Sequence, residues 1–175
     1  MKKLILVSVE GMPGTGKSTV AVALSRVLGW PTIDKDTLKS TLLAAGFADA
    51  NVNVLAYELM CALAREMLVE QQLSVILDSP DPPLHVLQAI AYEAGDTLKI
   101  ILCLAERDLR NQRIAERKGK LSQPGGMSQT AGDGREYYAH LPTGTLLLST
   151  TQPPSELLKP ILAYLQVTPR ETEQE

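Results

Sequence analysis

The chain has 175 residues, 45% of them apolar and 21% charged, with a formal net charge of −3. That length suits one domain with a substantial core, and the mild acidity provides no basic field for a nucleic-acid partner. No apolar run approaches the ~20 residues that a membrane span needs.

The pattern along the chain is short apolar runs alternating with amphipathic ones. Leu4 to Val9 is a nearly unbroken apolar run that reads as a strand buried on both faces. It is short, and it meets Glu10 and a glycine loop rather than a cleavage site. It therefore reads as a core strand and not as a secretory leader, and the protein as cytoplasmic. Lys17 to Leu28 follows as a helix, with Val20, Leu24, Val27 and Leu28 on one stripe and Gly29 as its stop. Pro31 to Ile33 is a second strand ending at Asp34, and Asp36 could cap a helix from Thr37 to about Ala45.

Asn51 to Gln72 is the longest helical pattern, with Val52, Leu55, Leu59, Leu63 and Met67 as its apolar stripe. Ser74 to Leu77 is a third strand, ending at Asp78. A proline-rich turn then opens a helix reaching Ala94. Lys99 to Leu104 is a fourth strand, and Glu106 to Lys118 a strongly charged helix. The segment 118–135 is rich in Gly, Ser and Gln and reads as a lid. Leu146 to Ser149 is a fifth strand, Pro154 to Leu165 a closing helix, and 168–175 a polar tail after a single domain over 1–167. Cys61 and Cys103 fall inside separate apolar segments and read as reduced core residues. The order of elements implies an α/β layer sandwich on a parallel sheet.

The chemistry begins at Gly11-Met12-Pro13-Gly14-Thr15-Gly16-Lys17-Ser18-Thr19, a full match to G-x-x-x-x-G-K-[ST]. Glycines let the backbone wrap an anion and aim successive N–H groups at it. The helix beginning at Lys17 adds the positive end of its dipole. Lys17 can reach the β- and γ-phosphates of a nucleotide, Ser18 can place its hydroxyl on Mg²⁺, and Thr19 suits the α-phosphate side. The motif follows a buried strand and opens a striped helix, as this mechanism requires. Asp78, at the end of an apolar strand, stands where a carboxylate would hold Mg²⁺ directly or through water.

With these residues in view, Leu4 to Leu43 resembles the small P-loop kinases of the AAA_33 and zeta-toxin or chloramphenicol-phosphotransferase-like group, related to the nucleoside-monophosphate kinase fold. The resemblance implies a three-layer P-loop NTPase fold with a five-stranded parallel sheet in the order 2-3-1-4-5, flanked by helices and carrying a short lid. It implies ATP and Mg²⁺ as cofactors and a small-molecule phosphate acceptor as the partner, with no nucleic acid or membrane involved. In similar kinases an Asp followed by a small residue, Leu or Ile, and a basic residue takes the proton of the attacking hydroxyl. Asp36-Thr37-Leu38-Lys39 matches that pattern, with Asp34 as second candidate, and a plain helix cap is the competing role for Asp36. Lys39 would meet a substrate anion or the transferred group, and Asp78 would border the same acceptor space. Arg107, Arg110, Arg113 and Arg117 recur at spacings of three, three and four, which places all four along one helical face. The resemblance picks Arg113 and Arg117 as the pair that clamps phosphates beneath the lid. Thr151 and Pro153 fall where similar kinases pass the base.

Two other readings compete with the kinase: a nucleotide hydrolase with no separate acceptor, and a non-enzymatic nucleotide-binding regulator. A GTPase is excluded by the lack of an Asn-Lys-x-Asp segment. Asp78-Ser79-Pro80-Asp81-Pro82-Pro83 replaces the Gly-Phe-Pro-Arg-like segment of nucleoside-monophosphate kinases, which counts against a nucleotide acceptor.

Overall fold

The computed structural model describes residues 3–47, 51–116 and 131–170. Five parallel strands form one sheet: β1 (Leu6–Glu10), β2 (Thr32–Asp34), β3 (Val75–Asp78), β4 (Leu98–Leu104) and β5 (Leu146–Ser149). Their order is β2-β3-β1-β4-β5, the order expected from the resemblance. β1 is wholly buried at the centre, paired with β3 and β4. This accounts for its lack of polar alternation, since helices cover both faces.

The helices are α1 (Lys17–Leu28), α2 (Lys35–Ala44), α3 (Val52–Arg65), α4 (Leu84–Glu93), α5 (Arg107–Glu116) and α6 (Pro154–Leu165). Alternate strand residues feed two cores, as the two-residue period demands. Ile5, Val7, Val9, Ile101 and Cys103 pack with Leu24 of α1 and Ile161 of α6. Leu6, Val75 and Leu77 pack with Met60 of α3 and Leu87 of α4 on the other face. Each fully buried Leu or Ile contributes about 1.5–3 kcal/mol. Cys61 and Cys103 are free and buried, as the sequence indicates.

Three local expectations need correction. First, α2 starts at Lys35, and its cap is Asp34 rather than Asp36. Asp34 Oδ1 accepts the Asp36 N–H at 2.9 Å and its Oδ2 accepts the Thr37 hydroxyl at 2.7 Å. Asp36 therefore sits inside the first turn.

Second, α3 buries Val52, Ala56, Met60, Cys61, Ala64 and, beyond its end, Leu68. The expected stripe is turned by one residue, leaving Leu59 and Leu63 exposed. Ala56, Met60 and Ala64 are fully buried, and Leu59 and Leu63 flank them. The helix ends in one wider turn, where Gln71 N–H donates to Glu66 O at 3.0 Å.

Third, the arginines of α5 do not share one face. Each step of three residues rotates by about 60°, so Arg107 is exposed while Arg110 is buried.

Candidate active site

The glycine loop turns between the end of β1 and α1. Gly11, Gly14 and Gly16 all have positive φ, at 150°, 85° and 86°. A side chain would not fit at the first two. A Cβ at Gly11 would lie 2.5 Å from Thr15 Oγ1 and 2.7 Å from Cys103 O, and one at Gly14 would lie 2.5 Å from Arg110 O. Thr15 closes the turn, its N–H and hydroxyl both donating to Met12 O at 3.2 and 2.8 Å. No side chain caps α1, and its first turn carries no acidic residue. Its leading N–H groups are left for an anion, as a triphosphate requires.

Lys17 is buried at the mouth of this loop. Ser18 beside it hydrogen-bonds the carboxyl of Asp78. Asp78 ends β3, in register with Asp34 of β2 and Val9 of β1, and is itself buried. Burial raises its pKa above the ordinary carboxylate value, the Lys17 ammonium and the Ser18 hydroxyl oppose that shift, and Asp34 and Asp36 add to it. These five groups therefore share one crevice at the carboxyl ends of β1, β2 and β3. Asp78 Oδ1 has no hydrogen-bond partner. A buried carboxylate oxygen left unpaired beside a serine hydroxyl fits a Mg²⁺ ion that completes its shell with phosphate oxygens and water. Among the described residues no group of three or more His, Cys, Asp or Glu forms a complete metal cage.

Asp36 faces the crevice from α2. Lys35 Nζ is 3.1 Å from its Oδ1 and 3.0 Å from Asn53 Oδ1, and stands over the Tyr57 ring at 5.2 Å. Asp34 is committed to capping. Lys39 is half-buried on α2.

The opposite wall is tied down by α5 and the end of β5. Arg113 donates to Thr150 Oγ1 at 3.0 Å, to Thr150 O at 2.7 Å and to Gly14 O at 3.4 Å. Thr150 in turn donates its hydroxyl to Thr15 O. Arg113 is thus a brace for the loop as well as a charge beside it. Arg110 joins Met12 Sδ to Gly132 O, at 2.9 and 3.1 Å. Arg117 lies outside the described residues, as do 118–130 of the lid and 171–175 of the tail.

A pocket of about 330 Å³ opens between Gly16, Thr19, Arg113, Thr150, Gln152 and Pro154. Thr151 and Pro153 are exposed and stand off its wall, Thr151 near Ser149 and Pro153 preceding α6. A second pocket, about 510 Å³, lies between α3 and the start of α4, with Tyr57, Cys61, Asp81 and His85 on its wall. Sequence reasoning gave no site role to Lys35, Tyr57 or Arg110, of which only the arginine spacing hinted at the last; within the stretch Ser149–Pro153, expected near the base, it singled out Thr151 and Pro153 rather than Thr150 and Gln152.

The fold and this loop define a P-loop nucleotide-binding protein. Its match to the AAA_33 family model (AAA domain) spans residues 6–129, and the chain belongs to that family. No curated protein matches the sequence significantly. Solved structures with the same fold include a candidate kinase from Chloroflexus aurantiacus, 23% identical with a TM-score of 0.72, covering 95% of this chain and 98% of that one. A gluconokinase from Sinorhizobium meliloti is 18% identical with a TM-score of 0.62, covering 93% and 91%. An adenylylsulfate (APS) kinase from Mycobacterium tuberculosis, in complex with AMPPNP and APS, is 16% identical with a TM-score of 0.66, covering 95% and 99%. Among the described residues no helix is long and apolar enough to cross a membrane.

Proposed function

We propose that the protein is a cytoplasmic, ATP-dependent kinase that transfers the γ-phosphoryl group to a hydroxyl of a small molecule with the help of Mg²⁺. The observation that carries this reading is the apposition of Ser18 and Lys17 to the buried, half-unpartnered Asp78, with Asp36 across the same crevice. A hydrolase needs room only for water. Here a second pocket lies between α3 and the start of α4, and Tyr57 on its wall also carries the Lys35 ammonium that holds Asp36.

The residues divide the work as follows. Gly11 to Gly16 and the start of α1 bind the phosphates through backbone N–H groups. Lys17 neutralises charge that spreads over the transferred group. Ser18 and Asp78 would hold Mg²⁺, which would offset the negative charge of the phosphates. Asp36 accepts the proton of the attacking hydroxyl, held in place by Lys35 Nζ at 3.1 Å. Arg113, with Arg117 from the lid, adds positive charge on the outer side. Thr150, Gln152 and Pro154 flank the base, next to the expected Thr151 and Pro153.

The test is phosphoryl transfer from γ-labelled ATP to a panel of metabolites and antibiotics, run on the wild type and on Lys17→Ala. The expected result is a labelled acceptor with the wild type and a loss on the order of 10³-fold in the variant. Release of labelled phosphate to water with no labelled acceptor anywhere in the panel would overturn the kinase reading in favour of a hydrolase.

A further inference from the structure

The phosphate machinery makes no use of the cavity between α3 and the start of α4. Its volume is about 510 Å³, and small-molecule sites run from about 300 to 1,000 Å³. Its α3 wall is a single helical face: Val54, Tyr57, Glu58 and Cys61 follow one another at i, i+3, i+4 and i+7. Pro82, Pro83 and Val86 close it from the turn after β3 and the first turn of α4. The α3 face changes along its length. Cys61 is 8% exposed and belongs to the core that α3 shares with α4, whereas Val54, two turns earlier, is 55% exposed. A valine left open beside an apolar cavity is surface that a bound ligand would remove from water.

The polar groups of the wall are few. Glu58 and His85 are exposed at its rim. Asp81 is half-exposed, with its Oδ1 3.5 Å from His140 Nε2. The Tyr57 hydroxyl is hydrogen-bonded by the Asp81 backbone. Both carboxylates bear the same sign, and no lysine or arginine stands among the described lining residues. The cavity adjoins the crevice through Tyr57. Lys35 Nζ stands 5.2 Å from the centre of that ring and 3.1 Å from Asp36 Oδ1. These two steps are short enough for one small molecule to lie along the ring and reach the Asp36 carboxylate.

We propose that this cavity is the acceptor subsite, and that it takes an alcohol carried on an apolar aryl or alkyl body with no anionic group. This rests on the kinase reading of the crevice and adds the chemical class of its second substrate. The apolar body lies against Val54, the Tyr57 ring and Val86, and the hydroxyl points to Asp36. The acceptor oxygen bonds to the γ-phosphorus as the bond to the β–γ bridging oxygen breaks; ADP leaves, and the hydroxyl proton passes to Asp36. A sugar does not suit this wall. Its ring of hydroxyls would lose water against valine, cysteine and proline with few partners in exchange. A carboxylate-, sulfate- or phosphate-bearing acceptor does not suit it either, since it would meet Glu58 and Asp81 and no opposite charge on the wall.

The experiment is an NMR titration of the protein with three probes in the presence of AMPPNP and MgCl₂. 3-Phenyl-1-propanol carries the apolar body and the hydroxyl, 3-phenyllactate adds a carboxylate to the same body, and xylitol has hydroxyls alone. The wild type is expected to bind 3-phenyl-1-propanol at least about tenfold more tightly than either of the others. Val54→Glu sets a charge on the open apolar wall and should weaken that binding by about tenfold. Val54→Leu keeps the wall apolar and should stay within about threefold of wild type. Val54 is exposed, so both variants should fold, and thermal unfolding checks that they do.

Several results would overturn the proposal: xylitol or 3-phenyllactate bound as tightly as 3-phenyl-1-propanol, equal affinity of wild type and Val54→Glu for the alcohol, or no probe bound while AMPPNP binds normally. So would a dimer that Val54→Glu dissociates, because a second copy of the chain would then be what covers this face. Failure of AMPPNP to bind while the alcohol binds in the expected order would instead strike the kinase reading and leave the preference of the cavity standing.

Discussion

On one side of Lys17 the crevice is walled by backbone, and on the other by side chains. Toward the base, the glycine loop presents N–H groups and is clamped from behind by the main chain of Arg110 and by Arg113 and Thr150. Toward the proposed acceptor, the wall consists of Asp36, Tyr57, Asp78 and Asp81, brought in by α2, α3, β3 and the turn after it. A backbone cradle recognises phosphate, which is the same in every nucleotide. Side chains recognise an acceptor, which differs from enzyme to enzyme. Change on the acceptor side can therefore alter the substrate without disturbing the phosphates.

That contrast can be broken or sharpened, from the largest expected effect downward. Met60 anchors the acceptor-side core from α3, fully buried, while its neighbour Leu59 faces out. Met60→Ala should lower unfolding stability by about 2–5 kcal/mol in a denaturant titration and Leu59→Ala by less than about 1. Equal losses would restore the stripe read from sequence.

Gly14→Ala sets a Cβ 2.5 Å from Arg110 O at a φ of 85°. Its AMPPNP affinity should fall on the order of 100-fold while the fold persists. An unchanged affinity would mean that the backbone wall is not rigid.

Glu10 makes the stability of the fold pH-sensitive. Its folded pKa is raised from 4.5 to about 8, so the protonated form favours the native state. That contribution is whole below about pH 4.5, declines as pH rises toward 8, and is lost above it. Across this window the melting temperature of the wild type should fall relative to that of Glu10→Gln, by on the order of 5–10 °C. Parallel curves would show that Glu10 titrates normally.

Thr150→Val removes the hydroxyl that bonds Thr15 O and receives Arg113. It should weaken AMPPNP binding by about 1–2 kcal/mol, and Thr150→Ser should restore it.

The nucleotide side was largely legible because its signals are local. The bounds of α1, β5 and α6 read from sequence agree with the structure, and a contiguous motif carries the loop. The strand order came from the family resemblance rather than from residue patterns. The acceptor side was less legible because its determinants are long-range. Asp36 looked like a cap until Asp34 was seen to take that role. Leu59 and Leu63 looked buried because large residues dominate a pattern, whereas Ala56, Met60 and Ala64 are the ones fully enclosed. Arg110 was hidden among four arginines at spacings of three, three and four, and among the described ones it alone is fully buried. Nothing near Val9 in the sequence announces that Asp78 will stand beside it, since strand pairing alone joins them.

The most direct test of the two-sided account is Asp36→Asn, assayed in parallel for AMPPNP–Mg²⁺ affinity by calorimetry and for phosphoryl transfer to the acceptor found in the panel. The account predicts an affinity within about twofold of wild type and a transfer rate lowered on the order of 100-fold or more. Transfer at the wild-type rate, or an equal fall in affinity and transfer, would contradict it.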